Sequence, residues 1–130
     1  MRKIAALFVG LLAISAAHAG VVVVANPAAD SLSKSQVADI YLGKDTSFKP
    51  LDQPESAAIR ADFYQKATGR SLSQVKATWS RLMFSGKAQP PEEVADAASV
   101  KQAVAADPKA IGYIDASAVD GSVKVVLTLD

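Results

Sequence analysis

The sequence predicts an α/β domain, a mixed sheet flanked by helices, on three observations. Val21 to Val24 is an unbroken β-branched run, the pattern of a strand covered on both faces. Ser-x-x-Gln boxes at Ser33, Ser71 and Ser99 mark helix starts farther along the chain. Strand-like segments alternate with those helices, the order that builds layered α/β sheets.

Each element has its own justification. Asn26-Pro27 ends the first strand. The box at Ser33 to Gln36 opens a helix with Val37, Ile40 and Tyr41 on one face, and Gly43 lies just past its end. Phe48 to Leu51 reads as a short strand, which Pro50 confines to an edge or a terminus. A second helix follows residues 52–57, with Ile59, Phe63 and Tyr64 inward and Gly69 as its stop. After the box at Ser71, the residues Leu72, Val75, Trp79, Leu82 and Met83 recur at three- and four-residue spacing, and Gly86 closes that helix. Gln89 to Glu93 predicts a turn leading into a short helix, because proline and acids suit a first turn. The box at Ser99 predicts a helix that stops at Asp107-Pro108. Ile111 to Ile114 and Val123 to Leu129 complete the strands, the latter with Val123, Val125 and Leu127 on one face.

Before the first strand, Arg2 and Lys3 precede an apolar run from Ile4 to about Ile14, and Ala17-His18-Ala19 offers small residues for a signal peptidase. The run is shorter than the roughly 20 residues that span a bilayer. It reads as a secretory leader, residues 1–19, that delivers residues 20–130 to the periplasm as one domain. Of 130 residues, 111 then remain, and loss of Arg2 and Lys3 takes the formal charge from +1 to −1. A near-neutral surface argues against nucleic acid as a partner. The chain has no cysteine, and its one histidine, His18, leaves with the leader. Thiol nucleophiles, imidazole bases, haem and the usual zinc, copper and iron sites are thereby excluded, and no cofactor is expected.

The stretch Asp52-Gln-Pro-Glu-Ser-Ala-Ala-Ile-Arg60 holds the candidate chemistry. Ile59 stands where the other helix starts carry glutamine, and Ala57 and Ala58 leave the first-turn N–H groups accessible. An open helix N-terminus attracts anions, because its donors point outward and the macrodipole favours negative charge. Arg60, one turn in, adds positive charge if it folds back. The competing reading is self-capping: Asp52 or Glu55 satisfies those donors, or Pro54 is the first helical residue with Gln53 as cap. Asp52 and Glu55 as a hydrolytic pair is a third reading, opposed by the helix end, which keeps both carboxylates ionised. Asn26 stands at a strand end that lines a crevice in open α/β sheets, although Asn-Pro pairs more commonly make turns. Trp79, at its spacing, is a core residue rather than a stacking platform.

Val21-Val-Val-Val-Ala-Asn26, Leu32-Ser-Lys-Ser-Gln-Val-Ala-Asp-Ile-Tyr-Leu-Gly-Lys44 and Ala110-Ile-Gly-Tyr-Ile-Asp115 together resemble the phosphate-type solute-binding proteins of ABC transporters. The resemblance covers nearly all of residues 20–130. It implies one lobe of the type II periplasmic-binding-protein fold, and a non-enzymatic binder of phosphate or a related small oxyanion that feeds an ABC transporter. Ser56 and the N–H groups of Ala57 and Ala58 would be donors, Gln53 and Arg60 accessory, and Asp52 an acceptor from a protonated oxyanion. Two departures stand out. Asp52 lies near the place of an arginine that grips phosphate in the full-length proteins, and Ser56-Ala57-Ala58 near their Ser-Gly-Thr run. A single lobe also leaves its ligand open on one side, so either the affinity is low or a second copy of the chain, a membrane permease or a sensor supplies the other wall. The alternative is a ligand-free module that docks on such a membrane protein.

Overall fold

Val21–Ala25 (β1) is buried at all five positions, which is possible only for a strand paired on both sides and covered on both faces. The computed structural model describes residues 20–129; the expected leader lies outside the described residues. The other elements are α1 (Lys34–Tyr41), β2 (Lys49–Asp52), α2 (Ala58–Thr68), α3 (Leu72–Phe84), β3 (Glu92–Glu93), α4 (Ala97–Ala106), β4 (Ala110–Asp115), a 3₁₀ turn (Ala116–Ala118) and β5 (Lys124–Leu129). The sheet order is β3-β2-β4-β1-β5. β1 runs antiparallel to β4 and β5, whereas β2 runs parallel to β4 and β3, so the sheet is mixed, as expected.

Neighbouring residues of β4 show how the layers sit. A Cβ on Gly112 would lie 2.5 Å from Val100 Cγ1 of α4. The next residue, Tyr113, stacks on Phe63 of α2 with ring centroids 4.1 Å apart. Successive side chains of a strand point to opposite faces, so α4 and α2 cover opposite sides of the sheet. Glycine at position 112 is what lets α4 approach this closely.

Local chemistry explains most helix ends. Ser33 and Ser71 form full capping boxes with Gln36 and Gln74. Gly43 and Gly86 follow α1 and α3 with φ of 82° and 72°, and Gly69 caps α2 at 75°, all in the left-handed region glycine adopts without strain.

Four expectations need correction. Ser99 is not a cap: Asp96 is, accepting the Ser99 N–H at 2.9 Å, so α4 begins at Ala97. Glu92 and Glu93 form a strand rather than a helix start, because they pair with Leu51 and Asp52. β2 is interior in the sheet order, yet β3 covers only Leu51 and Asp52, so Pro50 still has no strand on its outer side. In β5 the buried residues are Val126 and Leu129, preceded by Val123. The register with β1 shifts between Val23 and Val24, where Leu127 and Val125 are the successive partners, and this bulge breaks the two-residue alternation.

Three outcomes follow. Ser33→Ala and Ser71→Ala should each cost about 1 kcal/mol in denaturant unfolding, whereas Ser99→Ala should cost far less. The backbone N–H of Ser99 holds the Asp96 carboxyl below its ordinary value. A depressed carboxyl stabilises the fold above its unfolded pKa, and that contribution is lost as pH falls through the folded value. Asp96→Asn should therefore keep the cap while flattening the acid-range loss of stability. Separately, Gly112→Ala should destabilise by about 1–3 kcal/mol through overpacking against Val100.

Candidate functional site

Asp52 ends β2 and is 3% exposed. Every contact it makes comes from a donor, the pattern of a carboxylate. The Tyr113 hydroxyl of β4 donates to Oδ1. The Tyr64 hydroxyl of α2 donates to Oδ2 at 2.7 Å, and the Gln53 N–H to Oδ1 at 3.1 Å. The Nε of Arg60 lies 3.6 Å from Oδ1. Burial first, and then the negative charge of Asp52, raise both phenols above their ordinary range, so each stays protonated and donating.

The same tyrosines belong to a packed aromatic group. Tyr41 is fully enclosed, meets Phe63 edge-on at 4.7 Å, and donates to the Leu51 carbonyl at 2.7 Å. Trp79 Nε1 donates to the Tyr41 carbonyl at 3.0 Å, which places Trp79 in the core by packing and hydrogen bonding alike.

Gln53 is buried and donates through Nε2 to the Tyr113 carbonyl at 2.8 Å. Arg60 does not fold back over the helix start: Nη1 donates to the Gln53 carbonyl at 2.7 Å and to Glu93 of β3 at 3.0 Å. Asn26 lies toward the other end of the sheet, because Ala25 pairs with Ile111 whereas Val21 pairs with Asp115. Its Nδ2 donates to the Ala105 carbonyl at 3.1 Å and its Oδ1 accepts from the Ala28 N–H, tying α4 to the exit of β1.

Residues 54–57 form a turn, with the Ala57 N–H on the Pro54 carbonyl at 2.9 Å. Ala57, not Ser56, is the N-cap of α2, and no side chain caps that helix. Its first turn holds no acid. The self-capping arrangement is therefore not formed, since Asp52 faces inward and Glu55 pairs with Lys76 at 3.2 Å. Ser56 and Ala58 are exposed, and the Ala58 and Ile59 N–H groups have no side-chain acceptor. The Ala57 N–H is engaged in the turn, which corrects the expectation that it is a donor to ligand.

The structure thus brings Asp52, Gln53 and Arg60 together as an internal network, leaves Ser56 and Ala58 outside it, and separates Asn26 from both. Sequence reading missed Tyr64, Tyr113 and Glu93. Tyr113 lies in the Ala-Ile-Gly-Tyr motif, but nothing local to that motif or to Asp52 shows that the two meet. Among the described residues no cluster of three or more His, Cys, Asp or Glu is suited to a metal ion. None of the described helices is long and apolar enough to cross a membrane.

Tyr113→Phe should destabilise by about 1–3 kcal/mol, since it leaves Asp52 short of a donor. The raised phenol values also set an alkaline dependence. Stability is complete below the unfolded tyrosine value of 10.0 and falls as pH rises above it, because the unfolded chain ionises first. Urea unfolding between pH 9 and 11 should show a shallower decline in Tyr113→Phe than in the parent.

No protein-family model and no curated protein matches this sequence. Among solved structures, the fold is similar to that of an ABC-type phosphate transport receptor from Vibrio cholerae, at 21% identity and a TM-score of 0.64, over 82% of this chain and 45% of that one. It is also similar to a phosphate ABC transporter substrate-binding protein, with phosphate bound, from Clostridium perfringens, at 20% identity and a TM-score of 0.65, over 82% and 44%. The chain spans less than half the length of either. The likeness is one of fold: a five-stranded mixed sheet with helices that resembles one lobe of a phosphate-binding protein.

Proposed function

We propose that this chain is a non-enzymatic, single-lobe binding protein for phosphate or a related small oxyanion, working in the periplasm beside an ABC transporter. The observation that carries the reading is the uncapped start of α2 next to exposed Ser56, in a fold whose neighbours include a phosphate-bound protein. In α1, α3 and α4 a side chain takes the first-turn donors; in α2 none does. An anion there meets the Ser56 hydroxyl, the Ala58 and Ile59 N–H groups and the positive end of the helix.

The donor set is smaller than the sequence implied. Asp52 is saturated by phenols and an amide, so it is not the acceptor for a protonated oxyanion. Gln53, Arg60 and Asn26 hold the fold rather than the ligand. The engagement of Asp52 and Glu55 with internal partners has a second effect: it moderates the repulsion that two carboxylates would exert on an anion. It also removes the acid/base pair a hydrolase would need. With one open side the site binds weakly, and a second copy or a membrane partner closes it.

The docking-module reading has one observation in its favour. Phe84 is 96% exposed and Met83 49%, side by side at the end of α3.

A thermal-shift series with phosphate and sulfate on residues 20–130 tests the first reading. Phosphate at about 100 times its Kd should stabilise the fold by about 2.7 kcal/mol, and Ser56→Asp should abolish the rise. No shift with either anion, together with retention of a membrane protein that Phe84→Ser releases, would establish the docking module instead.

A further inference from the structure

A cavity of about 280 Å³ lies between α2, α3 and the loop before β3. Its walls are apolar, with Val75, Trp79, Met83, Pro90 and Pro91, and its charged lining includes Arg60 and Glu93. We propose that it is a site for a small organic monocarboxylate, in which Glu93 stands in for the ligand on Arg60.

The geometry of the guanidinium makes the case. The Arg60 side chain is 13% exposed, whereas that of Glu93 is 55% exposed, so the pair joins a held cation to a solvent-swept carboxylate. An ion pair of that kind contributes little and exchanges readily. The Arg60 Nε is enclosed, with the Asp52 oxygen at 3.6 Å, so the nitrogen that meets Glu93 is Nη1. Glu93 itself shows what kind of group Nη1 donates to, a carboxylate at 3.0 Å.

Charge selects the ligand class. Asp52, Glu55 and Glu93 line this cavity together with Arg60 and Lys76. A ligand carboxylate that displaces Glu93 from Arg60 exchanges one negative group for another at the guanidinium. A dianion adds repulsion against Asp52 and Glu55. The apolar walls then favour a hydrocarbon body, and the volume, just below the usual range for ligand pockets, limits it to a few carbons or one ring. This site is separate from the α2 N-terminus and stands independently of the oxyanion reading.

Trp79 is the only tryptophan in the chain, so its fluorescence reports directly on this cavity. Benzoate titrations of the protein, of Glu93→Gln, and of Glu93→Gln combined with Ser80→Glu test the proposal. Ser80 is exposed on the cavity wall and makes no contact with Asp52 among the bonds of the network, so a glutamate there adds charge without disturbing the core. Glu93→Gln should bind benzoate about fivefold tighter than the parent, once the competing carboxylate is gone. The added Ser80→Glu should abolish the response. Equal affinity in parent and Glu93→Gln, no response in either, or indifference to Ser80→Glu would overturn the proposal. Phosphate titrations separate the two sites: Ser56→Asp should remove phosphate binding and leave the benzoate response in place.

Discussion

A carboxylate enclosed by protein is stable only where donors replace the water it has lost, and Asp52 draws its donors from three places in the chain. Leaving such a group without partners costs several kcal/mol, a large fraction of the stability of a domain this size. Tyr113 comes from β4, Tyr64 from one turn deeper in α2, and the amide from the residue that follows Asp52 itself. The carboxylate therefore pins the end of β2 to its neighbouring strand and to the helix beyond it. Arg60 extends the link to β3 through Glu93.

That network also explains the shape of the candidate site. Because Asp52 turns inward, the chain from Pro54 to Ala57 makes a turn of its own, and α2 starts without a carboxylate over its first amides. Both the exposed helix start and the occupied Arg60 are consequences of one inward-facing side chain. The oxyanion reading uses the first; the carboxylate cavity uses the second.

Much of the fold was legible in the sequence for physical reasons. The valine run could only be a doubly covered strand, and the boxes at Ser33 and Ser71 announce helix starts through local bonds that need no tertiary partner. The errors share a cause. Ser99 and Glu92-Glu93 carry the right local chemistry for helix starts, but a better-placed Asp96 and a waiting strand edge decide those segments. The bulge in β5 is set by its register against β1, which local alternation cannot reveal. At the site, the residues Asp52, Gln53 and Arg60 were found as a group, but their direction was not. Whether a polar side chain faces water or a buried phenol depends on Tyr64 and Tyr113, one of them about sixty positions away.

The position of β1 has a consequence for how the chain reaches this state. Its two neighbours are β4 and β5, the last strands in the sequence, so the first segment of the sheet waits for the final ones. Contacts that close such long loops form slowly. The valines of β1 therefore have no strand partner until β4 and β5, which lie far along the chain, are in place. A sheet wired in this way closes late, around the strand that is made first.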